Sequence, residues 1–142
     1  MEKNGIMKLD NINEMVADYE RKTGETVDLS KFEWQDKIGF VDEDNMHLKI
    51  VPNGGFFIWA TGELNGEKYL YLDQHYGVLK SVVSYFKEVI RINGLKSIVT
   101  ATHRNIKPFM RKWKMHRLEQ YDYDYEGRHY YVLQTDVSNL RG

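Results

Sequence analysis

A chain of 142 residues is the size of one compact domain, and its 42% hydrophobic and 29% charged residues supply a core without the signature of disorder. A formal net charge of −1 argues against a globally basic nucleic-acid binder, and the lack of cysteine excludes disulfides, thiolate metal sites and a cysteine nucleophile while fitting a reducing, cytoplasmic compartment. No apolar run reaches the roughly 18 residues of a spanning helix and MEKNGIMKLD lacks the apolar core of a signal peptide, so no membrane partner is expected.

Ile12, Met15, Val16 and Tyr19 fall on one helical face, Asn11 and Glu14 resemble a capping pair, and Gly24 closes the helix. Asp28 to Trp34 reads as a second, shorter helix capped by Asp28 or Ser30, giving a helical region over about 10–40. From Met46 the pattern alternates: Met46, Leu48 and Ile50 on one face, His47 and Lys49 on the other. Pro52-Asn53-Gly54-Gly55 marks a turn, Phe56 to Leu64 the next strand, Asn65-Gly66 a tight hairpin and Lys68 to Asp73 the return. The segment 46–73 is thus a three-strand antiparallel meander.

Beyond Gly77, the apolar positions Val78, Val82, Tyr85, Phe86, Val89 and Ile90 share a helical side opposite Lys80, Ser84, Lys87 and Arg91, and Asn93-Gly94 ends the pattern. Ser97 to Thr102 reads as a short buried strand, which after a helix implies a crossover and a parallel neighbour. Asn105 caps a further helix with Pro108 in its first turn. Ile106, Phe109, Met110 and Trp113 are predicted inward and Arg104, Lys107, Arg111 and Lys114 outward. Leu118 to Tyr125 and Arg128 to Gln134 are strands joined at Glu126-Gly127, so 78–135 is helix, strand, helix and hairpin. The fold class is α/β (α+β): one domain over 1–142 with a mixed, mostly antiparallel central sheet flanked by helices. The three tryptophans, Trp34, Trp59 and Trp113, are expected in the core or along a groove wall.

From about Met46 to Gln134 this element order, with two local patterns, resembles the GNAT superfamily of acyl-CoA-dependent N-acetyltransferases. No strand is evident ahead of the first helix, which is one departure. The first pattern is Gln74-His75-Tyr76-Gly77-Val78-Leu79, where the family places Gln or Arg, two variable residues, Gly, one variable residue and Gly or Ala. The resemblance implies that backbone N–H groups of 74–80, Lys80 included, receive the pyrophosphate of acetyl-CoA or another acyl-CoA. Gln74 and Gly77 match, whereas Leu79 stands at the Gly or Ala position. Gly77 is open to a second reading, as a strand-to-helix bend.

The second pattern runs from Thr102 to Met115, where the family has an Asn and, seven residues on, a Tyr that protonates the leaving thiolate. With His103 at the Asn position, Met110 replaces the Tyr, and a thioether donates no proton; with Asn105 there, Lys112 replaces it. The resemblance makes His103 and Asn105 cofactor-side residues. It also implies a general base at the end of the fourth strand, for which Asp73 and His75 are the candidates, an amine-bearing small molecule or protein being the acyl acceptor. The plain reading makes Asp73 a strand-end residue and His75 a polar neighbour. Small phage-encoded relatives, including internal virion components, are similar over Ile98 to Gln134, which implies an alternative: a catalytically degenerate GNAT-fold structural or protein-interaction component, virion-associated if phage-derived.

Six basic residues from Arg104 to Arg117 occur without an acid, a stripe that fits a solvated face, an anionic partner or a cofactor phosphate. Tyr121-Asp122-Tyr123-Asp124-Tyr125-Glu126 follows; on a strand it gives a tyrosine face and an aspartate face, either a packed edge or a surface for a protein partner, a second copy of the chain or a cationic amine. The five histidines lack metal-ligand spacing, so no metal is expected.

Overall fold

The computed structural model describes the backbone of residues 2–36, 39–51, 55–77 and 79–139, and the side chains of 12–36, 39–51, 55–77 and 84–139. Pro52, Asn53 and Gly54, expected in a turn, and Val78, expected on a helical face, together with the side chains of Leu79, Lys80 and Val82, lie outside the described residues. Contacts divide the chain into two compact units, Met1–Trp59 with Gln74–Val82, and Ala60–Asp73 with Val83–Gly142.

The first unit is built on helix α1, Glu2–Thr23, whose predicted stripe Ile12, Met15, Val16 and Tyr19 is buried. It packs on Leu48 of strand β3 (His47–Val51) and on Phe56 and Ile58 of strand β4 (Gly55–Leu64). The Tyr19 ring meets Phe56 edge-on at 5.6 Å. Antiparallel register runs from His47↔Trp59 to Val51↔Gly55. Gly24, at φ +74°, ends α1 as expected, its N–H donating to the Glu20 carbonyl at 2.8 Å. The predicted start at Asn11 is corrected: the helix is already formed at Glu2, because residues 2–10 contain no proline and Gly5 alone costs only about 1 kcal/mol.

The expected second helix is also corrected. Asp28 accepts from the Ser30 N–H at 3.0 Å, but the cap starts a single 3₁₀ turn, Leu29–Lys31. Strands β1 (Glu33–Gln35) and β2 (Gly39–Val41) follow, paired antiparallel from Glu33↔Val41 to Gln35↔Gly39. The segment is too short to give a helix an apolar stripe, and its aromatics favour the extended chain. Trp34 is 64% exposed, held edge-on by Phe40 at 5.1 Å, so it is not a core residue.

In the second unit, Asn65 and Gly66 adopt φ of +54° and +82°, the hairpin turn read from the sequence, before strand β5 (Glu67–Gly77). The Tyr69 ring covers Gly62, where a Cβ would come within 2.4 Å of it. Helix α2 (Leu79–Asn93) then makes the crossover, burying Phe86, Val89 and Ile90 while Ser84, Lys87 and Arg91 face water. Strand β6 (Ser97–Thr102) runs parallel to β5 from Tyr69↔Ser97 to Leu72↔Thr100, and the Thr100 hydroxyl donates to the Leu72 carbonyl at 2.7 Å. Strand β9 (Arg128–Asp136) pairs antiparallel with β6; the two-residue strand β7 (His116–Arg117) and strand β8 (Tyr123–Tyr125) pair with β9. The result is a mixed, mostly antiparallel sheet with helices, β5 and β6 being the parallel pair.

Helix α3 (Lys107–Lys112) has Pro108 in its first turn as predicted, but the cap is corrected to Ile106, because Asn105 Oδ1 accepts from the Lys107 N–H at 3.1 Å in a turn one residue ahead of it. Phe109 and Trp113 are buried, but Met110 is 41% exposed, a correction that follows from its place about 100° around the helix from Phe109 on a short helix. The predicted strand 118–125 is interrupted. Arg117 pairs with Asp122 at 2.5 Å and Asp122 accepts from the Val132 N–H at 2.9 Å, which pulls Glu119–Tyr121 into a 3₁₀ turn and leaves Asp122 outside any aspartate face.

Candidate functional site

Successive residues of a strand point to opposite faces, so Tyr71, Asp73 and His75 share one side of β5 and Gln74 and Tyr76 the other. The contacts obey that division. In the first unit the Gln74 amide donates to Glu25 Oε1 and to the Thr26 carbonyl, both at 3.3 Å. The Tyr76 hydroxyl donates to Asp18, the Tyr76 ring stacks on Phe56 at 5.9 Å, and Lys22 lies over that ring at 5.7 Å. The Tyr76 hydroxyl and then Lys22 hold the Asp18 carboxyl below the usual carboxylate range. Both side chains of the motif with described polar contacts on this face are therefore bonded to the segment at and just beyond the end of α1.

The motif is extended chain up to Gly77. Gln74 to Gly77 continue β5 and α2 begins at Leu79, so these residues precede the helix instead of opening it. The chains pass closely here: a Cβ on Gly55 would fall 1.8 Å from the Tyr76 carbonyl oxygen and 2.7 Å from Gly77 Cα, and Gly77 itself has φ +127°. No acidic residue occupies the first turn of α2. His75 is half-buried on the opposite face.

In the second unit Asp73 is exposed and hydrogen-bonds Tyr71, which also bonds Tyr123 of β8. Burial above all, then the Asp73 carboxylate and Tyr123, push the Tyr71 phenol far above the ordinary tyrosine range, so it keeps its proton at neutral pH. Tyr123 stacks on its cross-strand partner Tyr130 at 5.2 Å and 7°, and Tyr125 meets Tyr130 at 6.4 Å and 65°, so Tyr125 and Tyr130 form an aromatic corner. His103 approaches Tyr130 edge-on at 5.4 Å, with Arg128 Nη1 3.4 Å from His103 Nε2. The parallel ladder of β5 and β6 stops at Leu72↔Thr100, one residue before Asp73, although β6 continues to Thr102 against Tyr131.

The structure therefore brings Asp73 to the 121–126 segment through Tyr71, and His103 to Tyr130 and Arg128. Asn105 is exposed just ahead of α3, its Oδ1 accepting from the Lys107 N–H. Lys107, Arg111, Lys112 and Lys114 of the basic stripe are exposed, whereas the Arg104 guanidinium lies over Phe109 at 5.8 Å and Arg117 is ion-paired. Tyr71, Tyr130 and Arg128 were not singled out from the sequence. Two signals point to them: Tyr71 is two positions from Asp73 on a strand, and a two-residue turn at Glu126-Gly127 pairs Tyr125 with Arg128 and Tyr123 with Tyr130 by counting. Among the described residues no cluster of His, Asp and Glu could hold a metal ion, and no helix is long and apolar enough to cross a membrane.

No family model and no curated protein matches the chain. Several solved structures are similar at low identity, among them two CoA-bound proteins. One is the NatC complex bound to Gag peptide and CoA, with 14% identity, TM-score 0.43 and 68% of each chain covered. The other is a Bacillus subtilis acetyltransferase in complex with CoA, with 13% identity, TM-score 0.41, and 96% of this chain and 92% of that one covered.

Proposed function

We propose that the chain is a GNAT-like, acyl-CoA-dependent N-acyltransferase that moves an acetyl or other acyl group to an amine. The observation that carries this reading is the end of the parallel ladder at Leu72↔Thr100, with Asp73 following on the face that holds the proton-bearing Tyr71. The order of three antiparallel strands, crossover helix, parallel strand, helix and antiparallel strands supports it.

Acyl-CoA supplies an activated carbonyl and a thiol leaving group. The first turn of α2, free of acidic residues, is the segment that would receive the pyrophosphate. Because Gln74 and Tyr76 are bonded to residues of α1 and its continuation, residues 74–80 contribute backbone N–H groups on this reading, with Lys80 as the cation in that stretch of sequence. His103 and Asn105 stand as further cofactor-side residues. Asp73, or His75 on the same face, takes the proton from the substrate ammonium so that a neutral amine attacks. Orientation of the two reactants supplies much of the rate.

The test is release of free thiol from acetyl-CoA in the presence of primary amines. Asp73→Asn is expected to lower kcat by about 10²-fold or more. A wild-type chain that releases no thiol with any amine sinks the reading.

A second reading has its own observation: Tyr121, Tyr123 and Tyr125 are all exposed, as on a protein-binding surface. On it the chain is a catalytically degenerate GNAT-fold component of an assembly. It predicts no thiol release, together with a complex or homo-oligomer in solution that is lost on Tyr125→Ser.

A further inference from the structure

The apolar row that α1 covers continues past the helix to the edge of the sheet. Trp34 of β1 lies opposite Phe40 of β2, Phe40 opposite Leu48 of β3 and Leu48 opposite Ile58 of β4, so the four side chains share one face. Leu48 and Ile58 belong to the core under α1, and Phe40 packs against it, as does Phe32 just ahead of β1, so the β1–β2 hairpin is anchored. Trp34, the outer end of the row, is 64% exposed.

Beside Trp34 is an open strand edge. β1 is the outermost strand and pairs with β2 alone among the described residues, and alternate residues of a strand aim N–H and C=O away from the partner. Shortness and charge would guard such an edge, but a large exposed indole works against guarding it and supplies the ring that best attracts a cation. The surroundings are acidic: Glu33 in β1, Asp36 at one end of the hairpin and Glu43 and Asp44 at the other are exposed, against Lys31 and Lys37 in that stretch of sequence. A second copy of the chain would bring the same acids to the same edge over a strand of only 3 residues, whereas a cationic segment meets opposite charge.

We infer that the outer edge of β1 docks an extended peptide segment bearing arginine or lysine, added to the sheet as a further strand. Successive side chains of that strand fall on opposite faces, so one cation reaches the Trp34 ring and its neighbour reaches Glu33. The edge lies in the first unit, and its binding does not depend on acyl transfer.

The probe is acetyl-Thr-Arg-Arg-Arg-Thr-amide, titrated into the full chain while the backbone N–H resonances of Glu33, Trp34 and Gln35 and the Trp34 indole N–H are followed. Those resonances are expected to move, with binding about ten-fold tighter than for the peptide that carries Gln in place of each Arg. N-methylation of each arginine backbone nitrogen keeps the charge but removes the donors of strand addition, and should weaken binding by about ten-fold. Both comparisons use the unaltered chain, so no folding defect enters them. Trp34→Ser should weaken the Arg peptide by about three-fold and Trp34→Phe, which keeps a ring face, by less; Glu33→Gln should weaken it by about two-fold and flatten its salt dependence. Equal binding of the Arg and Gln peptides overturns the inference, as do equal binding of the N-methylated peptide and shifts confined to residues outside β1. Shifts of the same resonances with protein concentration alone would overturn it in favour of a second copy.

Discussion

The middle and the C-terminal end of strand β5 use polar side chains in opposite ways. At its C-terminal end Gln74 and Tyr76 are bonded to Glu25, Thr26 and Asp18, so their hydrogen-bonding capacity holds the helix α1 region against a core of Phe56, Leu48 and Ile58. A few residues earlier, Tyr71 and Asp73 bond each other and Tyr123 on a surface where Asp73, Tyr123 and Tyr125 face water. A residue pattern that looks like one motif along the chain therefore splits by face, one part bonded to the α1 region and the other to Tyr123 of β8.

Substitutions sharpen that contrast. Phe56→Ala removes a fully buried ring that Tyr19 and Tyr76 both contact, and should cost about 3–5 kcal/mol in denaturant unfolding. Gly55→Ala places a Cβ against the Tyr76 backbone at φ +131° and should cost more than about 1 kcal/mol; an unchanged midpoint would deny the close approach. Asn105→Ala removes the side-chain acceptor for the Lys107 N–H and should cost about 1 kcal/mol. By contrast Arg111→Ala, on the exposed side of α3, should stay within about 0.5 kcal/mol.

The two regions also differ in their response to pH. The carboxyl of Asp18 is held low in the folded chain, so its stabilisation is present above the ordinary value of 3.8 and is lost as pH falls through the lower folded value. Tyr71 is displaced upward, so its contribution is intact below the ordinary value of 10.0 and declines as pH rises beyond it. Asp18→Asn should flatten the acid limb of the stability profile and Tyr71→Phe the alkaline limb. An acid limb unchanged in Asp18→Asn would remove the Tyr76–Asp18 contact from the account.

Much of the fold was legible because burial imposes periodicity. The α1 stripe, the 46–73 meander, the α2 face and both I′ turns were all readable from apolar spacing and from Asn-Gly and Glu-Gly pairs. The 28–41 segment was not, since a three-residue strand with Trp34 facing water leaves no periodic trace. Nor was the break after Arg117, which depends on the Arg117–Asp122 pair and the Asp122–Val132 hydrogen bond, contacts between residues up to ten apart. At the site, the expectation that the strand ends at Asp73 is corrected: β5 runs on to Gly77, because Gln74 and Tyr76 are held in extended chain by Glu25, Thr26 and Asp18. That commitment of Gln74 and Tyr76 was not readable, because their partners lie 48 to 58 residues away in the chain.

The most direct test is thermal unfolding of the full chain with and without acetyl-CoA. At about 100 times Kd, binding to the folded state alone adds about 2.7 kcal/mol, a rise of several degrees in Tm for a chain of this size, and the acyl-transfer account predicts that rise. An unchanged Tm at millimolar acetyl-CoA would contradict it.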